Sequence, residues 1–303
     1  MSPQSFRKPA SDRARGILLV IAGAAMWGGS GVAGQYLLQD CGFSTEWLVV
    51  TRMILAGIIL LAIDLMRYDG GIFVIWRDRK DVRELLVFAV LGMLAVQYTY
   101  FASIKAGNAA AATVLQYLMP VFIILWTVVQ TRKAPQRIEL AAVALAVLGT
   151  FLLVTHGSVE TLSIPFDAFA WGIASAVSAA IYTVVPKRLI RKWRATLVVG
   201  WGMLIGGAVL SLLCPPWAFA GTWSPMSALM YAYVIIFGTV IAFGCYLGST
   251  AYIEPAEAGI LGSVEPLSAI ILSVAFLGIG FGLCDIAGTV LIVSTVFLLA
   301  KRK

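Results

Sequence analysis

The sequence predicts an all-α polytopic membrane protein of ten transmembrane helices, arranged as two inverted five-helix repeats. Three observations carry this prediction: a strongly apolar composition, ten apolar runs of spanning length, and a chain that matches itself at one constant offset.

Hydrophobic residues make up 60% of the 303 and charged residues 12%, with a mean hydropathy of +0.93. Soluble domains carry about 25% charged residues, so the chain belongs in lipid. Apolar runs of about 20 residues, the length that crosses a hydrocarbon core as a helix, fall near 16–37, 45–66, 84–104, 107–130, 137–155, 167–186, 196–214, 227–249, 256–277 and 283–300. Shifting the chain by 146 positions sets 97–125 on 243–271, so that Tyr100 meets Tyr246, Ser103 meets Ser249 and Pro120 meets Pro266. The register holds without a gap from Gly92/Gly238 to Leu153/Leu299, with 15 identities in 62 pairs where roughly 5 would arise by chance. The expected division is 1–155 and 156–303, five spans each. Because five is odd, the second copy must enter the membrane from the opposite side, which inverts the repeats about an axis in the membrane plane.

Basic residues supply an independent topology signal, since cytoplasmic loops retain Lys and Arg. Twenty of the 22 fall on one predicted side: Arg7, Lys8, Arg13 and Arg15, five in 67–83, three in 132–137, five in 187–194, and Lys301, Arg302 and Lys303. Lys105 lies opposite and Arg52 within a span. Both termini are therefore expected in the cytoplasm of a cell-membrane (inner-membrane) protein. The net charge of +7 is a topology signal, and no nucleic-acid partner is expected. The basic tail leads into an apolar run without an evident cleavage site, which reads as a retained first helix. The link 67–83 reads as a charged segment along the membrane surface. Cys41, Cys214, Cys245 and Cys284 have no metal spacing. Three of them are expected near the external side, where either a disulfide or isolated thiols fit.

AAMWGGSGVAGQYL in the first span, TRMILAG in the second, YFASIKAGNAAAATVLQYLMPVF in the third and fourth, and a weaker second copy resemble the EamA family of the drug/metabolite transporter superfamily. The resemblance covers nearly the whole chain. It implies a ten-helix transporter, often an exporter of amino acids or other small metabolites, with a central cavity between the halves. The acidic residue of the Leu-Gly-Glu element that the family often carries is absent: this chain has Gln130-Thr131-Arg132-Lys133 and Leu277-Gly278-Ile279-Gly280.

Candidate residues follow from polar and aromatic groups at membrane depth. Gly23, Trp27, Ser30, Gly31 and Gly34 share a face of the first span, as a close-packing stripe or as part of a cavity. Trp27 aligns with Tyr182 of the sixth span, where Trp171, Ser175 and Ser178 continue a polar stripe. Arg52 lies about two turns inside the external end of the second span, where an unpaired charge is costly; it either snorkels or satisfies helix-end carbonyls, or it binds a substrate carboxylate or acts in gating. Tyr98, Tyr100, Gln116 and Tyr117 bring hydrogen-bonding groups into the third and fourth spans. Pro120 and its repeat partner Pro266 each remove a backbone donor, as passive kinks or paired hinges. Glu265, before Pro266, is an ionisable group at midplane, a structural residue or a site for a proton or cation; its counterpart in the first copy is Met119. Glu257 reads as a solvated helix end and His156 as an exposed loop residue. Trp201 and Tyr246 are further cavity candidates, with Tyr252 secondary.

The expected function is small-molecule export, amino acids foremost, by alternating access around an aromatic cavity formed by Trp27, Tyr98, Tyr100, Gln116, Tyr117, Trp171, Tyr182, Trp201 and Tyr246. Efflux of drug-like or organic cations, flipping of a lipid-linked carrier, and a sensor or structural role are the alternatives. No catalytic constellation, cofactor or metal is expected. The expected partners are the bilayer, a small-molecule substrate and protons as coupling ion, with a monomer as the assembly.

Overall fold

A computed structural model of the chain describes residues 10–68, 71–157, 163–253 and 255–300. Of the basic residues used for topology, Arg7, Lys8, Lys301, Arg302 and Lys303 lie outside them. Ten apolar helices form one bundle: α1 (Asp12–Asp40), α2 (Thr45–Arg67), α3 (Arg79–Ala106), α4 (Ala109–Thr131), α5 (Arg137–Thr155), α6 (Phe166–Lys192), α7 (Ala195–Ser211), α8 (Pro225–Ser249), α9 (Glu257–Leu277) and α10 (Leu283–Ala300). Among the described residues nine are long and apolar enough to cross a membrane, and α7 is the shorter tenth. No strand occurs among the described residues. The chain is an all-α, multi-pass membrane protein.

The helix ends depart from expectation where polar caps extend them. The Asp78 carboxylate accepts the Lys80 N–H at 2.9 Å and starts α3 at Arg79, before the predicted 84. The charged link is correspondingly short, with one 3-10 turn at Val74–Arg77. All four cysteines are free thiols, so the disulfide alternative falls. His156 is exposed just past α5, as expected, and it also has a partner: its Nε2 lies 2.7 Å from Asp285 Oδ1, joining the end of α5 to the start of α10. Glu257, expected to be solvated, pairs with Arg13 at 2.7 Å.

The duplication is written into the backbone. Both α3 and α8 contain a π-helical stretch, Phe88–Leu94 and Ile236–Ile241. Both α4 and α9 are broken, into Ala109–Gln116 and Met119–Thr131, and into Pro255–Leu261 and Val264–Leu277. Pro120 and Pro266 do not kink continuous helices. Each sits in the first turn of a second half-helix, where a missing N–H leaves no helical bond unmade.

Close packing organises the bundle around α1, because lipid gives no hydrophobic drive and backbones must approach closely to gain contact. A Cβ at Gly28 would stand 2.6 Å from Glu265 O and 2.8 Å from Ala269 N. Gly23 faces α8 near Ala242 and Tyr246, while Gly31 and Gly34 face Tyr100 and Phe101 of α3. The small-residue stripe thus serves three neighbours. Gly149 and Gly288 bring α5 and α10 together in the same way, each Cβ position within 2.7 Å of the other's carbonyl oxygen.

At one end, ion pairs tie the two sequence copies. Asp64, fully buried, accepts from Arg194 at 2.6 Å and from Thr196 at 2.6 Å. Asp81, also fully buried, accepts from Arg188, Lys192 and Trp193. The Lys192 ammonium holds the Asp78 carboxyl below its ordinary value. The contribution of that bond is complete above the ordinary carboxylate range and is lost as pH falls through the lowered value. At the opposite end, Gln39 Nε2 donates to Ile104 O at 2.9 Å and Gly107 O at 2.8 Å.

Candidate functional site

The two broken helices meet at the middle of the bundle. At each break the hydrogen bonding tightens from four-residue to three-residue spacing, as in Leu118 N–H to Leu115 O at 3.0 Å and Glu265 N–H to Gly262 O at 2.9 Å. Tyr117, at the break in α4, crosses to the break in α9 and donates its hydroxyl to Gly262 O at 2.7 Å. The same hydroxyl lies 3.3 Å from Glu265 Oε2, its one side-chain donor among the described residues. Bridging in this way satisfies an interrupted backbone that lipid alone would leave unpaired.

Aromatic rings close one flank. Trp27 of α1 meets Phe243 edge-on and Tyr246 at a tilt, each with centroids 5.2 Å apart. Trp27, Gln116, Tyr117, Tyr182, Tyr246 and Glu265 all keep partial exposure, although they lie on interior helix faces. Tyr182 packs on Phe88 at 5.5 Å, and its neighbour Thr183 donates to Met119 Sδ at 3.1 Å. Met119 is the repeat counterpart of Glu265, so the carboxylate is matched by a thioether.

Arg52 occupies the other flank and is 5% exposed. Its Nε donates to Thr239 Oγ1 at 2.8 Å and one Nη to Gly238 O at 3.2 Å, both within the π-helical stretch of α8. Its guanidinium covers the Phe101 ring at 5.0 Å, a cation–π contact. Three of its five N–H donors have no partner, and no carboxylate lies within 4 Å among the described residues. Glu265 is the carboxylate whose field reaches it. Tyr100 stands within reach of both charges and hydrogen-bonds Thr113 Oγ1 at 2.8 Å.

The structure therefore brings Trp27, Tyr117, Tyr246 and Glu265 together by contact around the break in α9, with Arg52 and Tyr100 within electrostatic reach of Glu265 and Tyr182 within that of Tyr246. Gln116 donates to Ser175 Oγ at 2.7 Å. Tyr98 lies apart, donating to Glu46 Oε1 at 2.8 Å and meeting the half-exposed Trp171 edge-on at 5.8 Å. Trp201 is farther still: its indole donates to Ile72 O at 2.8 Å and packs on Trp76 and Phe73, as an anchor for the link before α3. Sequence reasoning missed Phe101, Thr239 and Phe243. Phe101 and Phe243 were findable as the ring beside Tyr100 and the ring one turn before Tyr246; Thr239 had no such signal.

A broken-helix centre at an interface of duplicated halves is a transporter arrangement, and the sequence matches the EamA-like transporter family over residues 14–155 and again over 168–301. The chain belongs to the EamA-like transporter family. Among its relatives, the inner membrane transporter YicL of Salmonella typhimurium is 42% identical over 289 residues, 94% of this chain and 95% of that one. The transporter YetK of Bacillus subtilis is 23% identical over 93% of this chain and 86% of its own length, and protein PecM of Dickeya dadantii is 24% identical over 87% and 92%. A solved crystal structure covers 96% of this chain and 97% of its own at a TM-score of 0.60 with 20% identity, a likeness of fold.

Proposed function

We propose that this EamA transporter exports amino acids or similar small zwitterions across the inner membrane by alternating access. The observation that carries this reading is a buried cation with three free donors, Arg52, within electrostatic reach of a partly accessible carboxylate, Glu265, beside Trp27 and Tyr246. A zwitterion has one group for each. Arg52 receives the carboxylate as the bundle opens, and Glu265 with the aromatic faces receives the ammonium. Residues 1–155 and 156–303 form inverted halves of a monomer with both termini in the cytoplasm, the side on which Lys and Arg collect. Pro120 and Pro266, at the starts of the second half-helices, are the paired hinges, and Glu265 exchanges a proton between substrate cycles.

The test is efflux from liposomes holding the purified chain, loaded in turn with amino acids, their decarboxylated amines and nucleosides. Amino acids should leave fastest, acidification of the opposite side should speed their release, and Arg52→Gln should remove the preference for amino acid over amine. Equal release of amino acid and amine by the unaltered protein would reject the zwitterion reading in favour of organic-cation efflux. Unchanged turnover in Pro120→Ala would remove the hinge.

A further inference from the structure

A second feature lies away from the broken-helix centre, at the end of the bundle where the ion pairs gather. A cavity of about 640 Å³ opens on the surface between the start of α3 and the end of α6, lined by Arg79, Lys80, Arg83, Glu84, Val87 and Val185. That volume falls within the roughly 300–1,000 Å³ of small-molecule sites. Its chemistry follows from the helical period of RKDVRELLV. Residues 79, 83 and 87 recur at four-residue steps on one face, with 80 and 84 beside them, while 81, 85 and 88 turn inward and are buried.

The charges of this segment are sorted by face. On the inward side, Asp81 is taken by Arg188, Lys192 and Trp193. Glu84, the one acid in the cavity lining, accepts Arg188 Nε through both oxygens at 2.8 Å. Asp78 caps α3 and binds Lys192 at 3.0 Å. Every acid near the cavity is therefore occupied. Arg79, Lys80 and Arg83 are exposed, and none has an acidic partner among the described residues. The lining thus combines three uncommitted cations with an apolar floor of Val87, 44% exposed, and Val185. It sits at the first turns of α3, a helix long and apolar enough to cross a membrane.

From this we infer that the cavity binds the headgroup of an anionic phospholipid. The phosphate sits among Arg79, Lys80 and Arg83, and the first acyl carbons lie on Val87 and Val185. A soluble anion would find the same cations but leave the apolar floor bare, whereas a phospholipid satisfies both parts at once. Positive charge beside the bilayer also attracts anionic headgroups directly. Since Arg188 bonds Glu84 on the cavity wall and Asp81 behind it, a lipid in this position lies against the contact that holds α3 to α6. This inference does not depend on the identity of the transported solute.

The experiment is a lipid titration of the detergent-solubilised full chain, with occupancy read by native mass spectrometry. Phosphatidylglycerol is compared with phosphatidylcholine of the same acyl chains, and inorganic phosphate is added as competitor. Phosphatidylglycerol should be retained in preference. Each of Arg79→Gln, Lys80→Gln and Arg83→Gln should weaken retention roughly fivefold, and all three together on the order of a hundredfold, whereas Lys133→Gln on another loop should leave it unchanged. Because the three side chains are exposed and unpaired, the variants should elute and melt as the parent does. Should the triple variant fail to fold, the single variants still read the effect. Equal retention of the two lipids, or variants that bind like the parent, would overturn the inference. Binding of inorganic phosphate that displaces the lipid at equal concentration would reassign the cavity to soluble anions.

Discussion

Glu265→Gln is expected to insert and fold like the parent protein and to slow amino-acid efflux by roughly 10- to 100-fold. The amide keeps the shape of the side chain and can still accept from Tyr117, whose hydroxyl is mainly held by Gly262 O at 2.7 Å. What disappears is the negative charge, and a hydrogen bond to a charged group contributes about 1.5–3 kcal/mol, which corresponds to that range of rate or affinity. The same variant should no longer respond to an imposed pH gradient. Efflux from liposomes, measured for parent and variant across a pH series, checks both effects. Equal rates at every pH would mean that Glu265 neither binds substrate nor carries a proton, and would return it to a structural role at the break in α9.

The largest effect on stability is expected from Gly28→Val. At this position α1 and α9 touch backbone to backbone, with Glu265 O and Ala269 N both under 3 Å from any added Cβ. Overpacking costs about 1–3 kcal/mol where side chains can move; here the obstacles are main-chain atoms, so about 3 kcal/mol or more is expected. The thermal midpoint in detergent should fall well below that of the parent, with the helix contact beside Glu265 lost. Gly244→Ala provides the contrast. It lies in a helical part of α8 with nothing within 4 Å of a new Cβ, and replacing a helical glycine by alanine gains roughly 0.5–1 kcal/mol. A variant at Gly28 that melts like the parent would show that α1 and α9 are not in contact as described.

The fold was legible because its determinants are periodic and additive. Apolar runs and a gapless offset each sum over many residues, so single errors do not matter. The candidate site was legible only in part. Glu265, Tyr117, Tyr246 and Trp27 stood out because polar or large aromatic groups at membrane depth need a reason. Their meeting point was less visible, since it depends on helix breaks at Tyr117 and Gly262 that a proline signal places within a few residues but does not orient. Arg52 could be found but its partners could not, because Thr239 and Gly238 present themselves through a π-helical stretch without a sequence signature. Trp201 shows the opposite failure: an indole within a span faces the link before α3, where its N–H finds Ile72 O.

The interrupted helices also constrain how the protein is made. The first half of α4 is Ala109–Gln116, eight residues, and that of α9 is Pro255–Leu261, seven. At 1.5 Å per residue these are roughly 10–12 Å long, far short of a hydrocarbon core of about 30 Å. Neither half can cross alone, so each segment, 109–131 and 255–277, must leave the insertion machinery as one stretch. Opening a helix in bare lipid would strand its polar backbone groups. The gap at Gly262 must then form late, after both segments are in the bilayer and Tyr117 of α4 can supply the partner that Gly262 O of α9 lacks. Assembly of the two copies is in that sense a single event, completed when the last helices of the nascent chain arrive.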